Sequence, residues 1–113
     1  MNVHSEKIVF DLPIQLESGA TLSSFELMIE TYGELNQNKD NAVLVCHAFS
    51  GSHHAAGIKT EGEKPGWWDQ IIGDGKTIDT SKYFVVSVNN LGGCNGSSGP
   101  TSLSPETNKL YGS

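Results

Sequence analysis

Arginine is absent from this sequence. All seven basic residues are Lys, set against thirteen Asp and Glu, for a formal net charge of −6 over 113 residues. No basic cluster exists to follow a nucleic-acid backbone or to hold an anionic membrane surface. Bidentate clamping of carboxylates or phosphates needs guanidinium groups, so an anionic ligand would have to find them elsewhere. Cysteine is scarce as well. Cys46 and Cys94 are too few and too far apart for a disulfide framework or a zinc motif. No segment approaches the roughly 18 apolar residues of a membrane span, and the first residues, Met1 to Lys7, have no apolar signal region. These absences predict a cytoplasmic protein with reduced thiols, in which Cys46, closing an apolar run, is a buried and inert one. Asn95-Gly96-Ser97 is formally a glycosylation triplet but has no meaning without a secretory route. With 36% hydrophobic and 18% charged residues and no internal repeat, the composition is that of one small ordered domain.

What is present is a succession of β-prone segments. Lys7 to Ile14 is apolar and extended in character, and Glu17 to Ala20 is a turn signal. From Ser24 to Tyr32, a period of two places Phe25, Leu27, Ile29 and Thr31 on one face and Glu26 and Glu30 on the other, which predicts a half-buried strand with the glutamates on its open side. The two segments read as an antiparallel pair. After a polar connection from Gly33 to Asn41 come two continuous apolar runs, Ala42 to Cys46 and Tyr83 to Val88, of the kind found in parallel strands covered on both faces. Residues 47–82 between them exceed the dozen or so that a parallel crossover needs, and Pro65 to Ile72 is predicted to supply a short helix there. The fold class read from this order is α/β, with antiparallel edge strands leading into a parallel sheet. Asn89 to Pro100, carrying glycines at 92, 93, 96 and 99, is a loop at the carboxyl end of a strand, where open α/β sheets place ligands.

Several constellations bear on chemistry. His47-Ala48-Phe49-Ser50-Gly51 follows the first apolar run as a turn of mostly small residues, which exposes backbone N–H groups able to stabilise an oxyanion; its bland reading is a polar strand-to-loop junction. His47, His53 and His54 lack acidic or thiol partners at ligand spacing, and adjacent histidines on a loop point apart, so no metal site is expected. Gly92-Gly93-Cys94-Asn95-Gly96 fits a thiol version of the G-x-S-x-G elbow, but an elbow needs a helix directly after it, which Gly96 to Pro100 forbids. The same glycines fit neither the Walker A nor the dinucleotide-binding pattern. Trp67-Trp68 is read as a packing anchor, with a substrate-lining role as its alternative.

Taken in order, Val43 to Gly51, Pro65-Gly66-Trp67-Trp68-Asp69, Ile78-Asp79-Thr80, Tyr83 to Val86, Asn90 to Cys94 and Gly96 to Pro100 resemble the homoserine O-acyltransferases of the α/β-hydrolase superfamily, over residues ~20–113. The resemblance implies that residues 1–113 form a single, incomplete α/β-hydrolase domain, its N-terminal portion. It implies transfer of an acetyl group from acetyl-CoA to the hydroxyl of L-homoserine in methionine biosynthesis, through an acyl-serine, with succinyl-CoA as the alternative donor. It implies no cofactor beyond the acyl-CoA co-substrate and a homodimer for the full-length enzyme. By the same resemblance, the Phe49 backbone N–H is an oxyanion donor, at a position where family members more often carry Leu. Ser50, Gly51, Ser52 and His53 line the entrance to the substrate pocket. The family's Ser, Asp and His and its substrate-binding Arg lie downstream of the matched region, so the chain is expected to be inactive alone. Two other readings compete: a small thiol hydrolase using Cys94 with a histidine, and a non-catalytic binding module.

Overall fold

The computed structural model describes residues 1–112. Strand β1 (Val3–Phe10) pairs antiparallel with β4 (Phe25–Tyr32), Phe10 opposite Phe25 and Ser5 opposite Glu30. The Phe10 and Phe25 rings stack with centroids 5.2 Å apart, a cross-strand aromatic pair that pins this register. The strand starts earlier than the apolar run suggests and stops before Pro13, which cannot donate to a ladder. Beyond it β2 (Ile14–Gln15) and β3 (Thr21–Leu22) form a small hairpin around the Glu17–Ala20 turn, closed by Gly19 N–H to Leu16 C=O at 2.9 Å.

The two apolar runs become β5 (Ala42–Val45) and β8 (Phe84–Val88), which pair in parallel. Between them in sequence, β6 (Ile72–Gly73) and β7 (Ile78–Asp79) make a short parallel pair. The main sheet has the order β1-β4-β8-β5, with β4 antiparallel to β8, so antiparallel edge strands do lead into a parallel pair.

One face of this sheet is covered. Val3 and Ser5, Glu30 and Tyr32, Val85 and Ser87, and Val43 and Val45 share it by register. Tyr32, Val45 and Val85 pack there with Ala55, Ala56 and Ile72, brought by the crossover segment. On the other face Leu44 is 65% exposed. Three expectations are corrected here. First, β5 is covered on one face among the described residues, and Cys46 just after it is exposed rather than buried. Both thiols are therefore expected to react with a disulfide-exchange reagent without denaturant; a single reacting thiol would contradict this placement. Second, the face carrying Glu30 points into the core, because the crossover packs on that side. Third, Pro65 to Ile72 forms turns and the start of β6, not a helix. The N–H groups of Gly66, Trp67 and Trp68 donate instead to the carbonyls of Gly57, His54 and Ala55, at 3.0, 3.2 and 2.7 Å. They hold the segment against its neighbour. No helix among the described residues is long and apolar enough to cross a membrane.

Candidate functional site

The carboxyl ends of the parallel strands β5 and β8 lie side by side, and the loops that follow them are tied together by His47. Its Nδ1 lies 2.7 Å from Ala48 C=O, and its Nε2 accepts the Asn90 N–H at 3.2 Å. One ring nitrogen faces an acceptor and the other a donor, which fixes the neutral Nδ1–H tautomer. Asn89, 1% exposed, organises the second loop: its Oδ1 accepts the N–H groups of Asn95 and Ser97, at 3.2 and 3.3 Å. Ser97 and Ser98 then fasten this loop to β4. Their hydroxyls accept the N–H groups of Met28 (2.9 Å) and Glu26 (2.8 Å), and Ser98 N–H donates to Glu26 C=O at 2.8 Å. Chain that has no helical propensity becomes ordered by lengthening the sheet.

Against this frame sits an open cleft of about 380 Å³ lined by Ser50, Gly51, Ser52, His54, Pro65, Trp67 and Asn95. A larger cavity of about 550 Å³ lies at the opposite end of the strands, among Met1, Asn36, Asp74 and Lys82. The smaller one occupies the position where α/β sheets bind ligands. Its walls are held in place: Trp67 Nε1–H donates to Ser52 C=O at 2.8 Å, and Trp67 stacks on Trp68 with centroids 5.5 Å apart. Phe49 is at the tip of a turn closed by Gly51 N–H to Ala48 C=O at 2.8 Å. The Phe49 side chain is fully exposed, and its N–H has no acceptor among the described residues.

The structure thus brings Ser50, Gly51 and Ser52 to one cleft and leaves His53 out of it. His53 is 7% exposed and turned toward Lys59, with Nε2 3.5 Å from Nζ. The neighbouring His54 lines the cleft instead, at the centre of a tight turn in which the Ala55 N–H donates to His53 C=O at 2.9 Å. Cys94 is exposed and touches Asn95 Nδ2 at 3.8 Å; no histidine bonds to it among the described residues, and turns rather than a helix follow it. The arrangement a thiol nucleophile requires is therefore not assembled. Among the described residues no group of three His, Cys, Asp or Glu side chains is placed to hold a metal ion.

Beneath the cleft lies a polar cluster that alternation alone turned outward. Glu30, with no exposed surface, sits opposite Ser5. Its Oε1 accepts from Tyr32 Oη at 2.6 Å and faces His54 Nδ1 at 2.8 Å. Its Oε2 accepts from Ser5 Oγ at 2.9 Å and pairs with Lys59 Nζ at 2.6 Å. The Tyr32 hydroxyl in turn accepts the N–H groups of Ala55 and Ala56, at 2.8 and 3.1 Å. Burial by itself would raise the Glu30 pKa; bonds from Lys59, Tyr32, His54 and Ser5 outweigh it and hold the carboxyl below the ordinary range. Tyr32 is pushed up by burial and by the adjacent carboxylate. His53 is pushed down by burial and by Lys59.

Both His53 and Glu30 have folded pKa values below their unfolded ones, so the unfolded chain binds more protons and acid destabilises the fold. The His53 contribution is complete above pH 6.5 and fades below it; the Glu30 contribution is complete above pH 4.5 and is lost as pH falls through its depressed pKa. The urea midpoint is expected to fall in two steps, and His53→Gln to remove the upper one. A midpoint flat from pH 7 to about pH 5 would contradict the His53 assignment, and one that stays flat as the pH is taken from about 5 to about 2 would contradict the Glu30 assignment.

No family model matches the chain. A homoserine O-succinyltransferase of Hahella chejuensis is 65% identical over 104 residues, which are 91% of this chain and 27% of that protein. One from Neisseria gonorrhoeae is 60% identical over 111 residues, 97% and 29% of the two chains. This chain matches the homoserine O-acyltransferases. It spans less than a third of the length of these curated relatives. The fold agrees: a homoserine O-acetyltransferase from Bacillus anthracis superposes with a TM-score of 0.87 at 39% identity, over 98% of this chain and 31% of that one. Esterase E22 superposes at 0.81 and 40%, over 96% and 32%. The four-stranded sheet and its loops are accordingly part of an α/β-hydrolase fold, and the cleft lies at the carboxyl ends of its parallel strands.

Proposed function

We propose that this chain forms the oxyanion side of a homoserine O-acyltransferase, which moves an acyl group from acyl-CoA to the hydroxyl of L-homoserine. The observation that carries the reading is 65% identity along 91% of the chain to a homoserine O-succinyltransferase. Because the 60–65% identical relatives are succinyltransferases and the acetyltransferase structure is 39% identical, succinyl-CoA is assigned as donor in place of the acetyl-CoA expected from sequence. In this reading the free Phe49 N–H, at the turn after β5, is one oxyanion donor. Being main chain, it is available whatever the side chain, and a second donor follows the nucleophile. Ser50, Gly51 and Ser52 line the substrate cleft. The acyl-serine nucleophile, its His and Asp and a substrate-binding Arg are contributed outside residues 1–113, so the isolated chain turns over nothing. The whole enzyme would act as a cytoplasmic homodimer on small molecules, in methionine biosynthesis, without metal or further cofactor.

A chimera tests this. Residues 1–113 replace the matching segment of the Hahella chejuensis enzyme, and CoA release is followed with L-homoserine and either donor. Homoserine-dependent turnover with succinyl-CoA above acetyl-CoA is expected. A folded chimera that releases no CoA with either donor overturns the activity, and a preference for acetyl-CoA overturns the donor. The 113-residue chain alone is expected to show no turnover.

A further inference from the structure

An oxyanion donor needs a fixed direction, and the Phe49 side chain does not supply one: the residue is fully exposed at the tip of its turn. The direction is set at the other end of the same peptide. No cis peptide bond occurs among the described residues, so the Ala48 C=O and the Phe49 N–H lie in one plane and point opposite ways. The Ala48 oxygen accepts the Gly51 N–H at 2.8 Å and faces His47 Nδ1 at 2.7 Å. A carbonyl has two lone pairs, and both are engaged. Holding this oxygen against Gly51 and His47 aims the Phe49 N–H away from them, where no acceptor among the described residues meets it.

The imidazole is itself held from behind. Its Nε2 accepts the Asn90 N–H at 3.2 Å and faces Asn89 Nδ2 at 3.4 Å. Asn89 is buried, and its Oδ1 accepts the N–H groups of Asn95 and Ser97, which leaves its Nδ2 for His47. With donors at Nε2 and an acceptor at Nδ1, the ring carries one proton, at Nδ1. Gly51 gives the turn room to close on the ring: a Cβ there would stand 3.1 Å from His47 Cβ and 3.2 Å from Ala48 O. The two ends of the imidazole do different work. The Nε2 bonds join the loop after β5 to the loop after β8. The Nδ1 bond reaches only the next residue, so it joins no two segments; its effect is to orient one peptide.

We propose that His47 is a positioning residue for acyl transfer: its Nδ1–H holds the Ala48 carbonyl and thereby directs the Phe49 N–H at the oxyanion. This rests on the acyltransferase reading and deepens it. The ring exchanges no proton with substrate; it acts through the peptide. A donor already aimed needs no reorganisation as the negative charge develops.

Two substitutions separate the ends of the ring. Asn places an N–H near the Nδ1 position and nothing at Nε2; Gln reaches the Nε2 position and leaves Nδ1 empty. In the chimera with the Hahella chejuensis enzyme, supplied with succinyl-CoA and L-homoserine, His47→Gln is expected to lower kcat about a hundredfold, the loss of one oxyanion donor. The KM for succinyl-CoA is expected to change less than about twofold, because the interaction is made in the transition state. His47→Asn is expected to keep kcat within about tenfold of the unsubstituted chimera, the cost of about one hydrogen bond. Equal losses in both variants, a loss in KM alone, or an unchanged kcat in His47→Gln overturns the proposal. The peptide is also read directly in the 113-residue chain. Ala48-Phe49 is the only Ala-Phe pair in the sequence, so ¹³C-carbonyl alanine with ¹⁵N-phenylalanine labels this one peptide. Its carbonyl signal is expected to move upfield in His47→Gln and to stay in place in His47→Asn; the same response in both variants overturns the proposal. If a variant unfolds, ¹⁵N-histidine spectra of the unsubstituted chain decide: His47 is expected as its Nδ1–H tautomer, and an Nε2–H tautomer overturns the proposal. A chimera inactive before any substitution overturns the acyltransferase reading alone, and the labelled peptide then decides the positioning by His47.

Discussion

Replacing Glu30 by alanine is expected to destabilise this chain by about 3 kcal/mol, the lower end of the range for removing one partner of a buried ion pair. The side chain is completely buried and serves four groups at 2.6–2.9 Å. Alanine would leave the Lys59 ammonium without its counter-charge and the Ser5 hydroxyl, the Tyr32 hydroxyl and His54 Nδ1 without their acceptor. The lower end applies because the Lys59 side chain is 31% exposed and can turn its charge toward water. Against a typical total of about 5–15 kcal/mol for a folded domain, the loss is large enough to leave much of a small chain unfolded. Urea titration at pH 7 measures it. The double variant Glu30→Met with Lys59→Met is expected to recover most of it, since exchanging a buried pair for apolar groups is often neutral. A loss under about 1 kcal/mol for Glu30→Ala would mean that the pair behaves as a solvated surface bridge.

Gly66→Ala is expected to be comparably damaging for a steric reason. A Cβ at Gly66 would stand 2.1 Å from the Ala55 carbonyl carbon and from the Ala56 nitrogen, and 2.5 Å from Ala55 O. All three are backbone atoms, so no side-chain rotation relieves the contact. The segments 54–57 and 66–68 must separate, breaking the bonds that Gly66, Trp67 and Trp68 make across them. Ala55 and Ala56 are themselves fully buried under the Tyr32 hydroxyl, so the displacement reaches the Glu30 cluster. Overpacking of a tight core typically costs about 1–3 kcal/mol, and a clash with fixed backbone sits at or above the top of that range. For a chain of this size that lowers Tm by roughly 10 °C or more. Because Trp67 rides on the moved segment, tryptophan emission is expected to shift as well. A stable Gly66→Ala chain with unchanged emission would show that the two segments are not in such close approach.

Both variants act on elements that were unevenly legible in the sequence. The strands were legible because their signal is local: alternation from Phe25 to Tyr32 and the apolar runs before Cys46 and up to Val88 stand in consecutive residues. So was the loop at Asn89–Pro100, where glycine and proline exclude a helix. The Pro65–Ile72 segment misled, because the N–H groups of Gly66, Trp67 and Trp68 are claimed by the carbonyls of Gly57, His54 and Ala55 upstream, a pairing with no local mark. Ser50, Gly51, Ser52 and His53 were named through the family resemblance; the structure lines the cleft with the first three and with His54, while His53 turns toward Lys59, and a pair of identical residues carries no sign of which one faces outward. The burial of Glu30 had no signal at all.

The sequence by itself determined that this chain alternates as strands, that its parallel runs end in two small-residue loops, and that the series of motifs resembles one family. Only the tertiary structure decided which face of the sheet is covered. Periodicity assigns residues to two faces but does not say which one the crossover packs upon. A carboxylate is read as outward because an unpaired buried charge is so costly. Here Ser5, Tyr32, His54 and Lys59, up to 29 residues away in sequence, converge on Glu30 and offset that cost. Their convergence turns the polar column of β4 inward and sets His54 in the wall of the cleft.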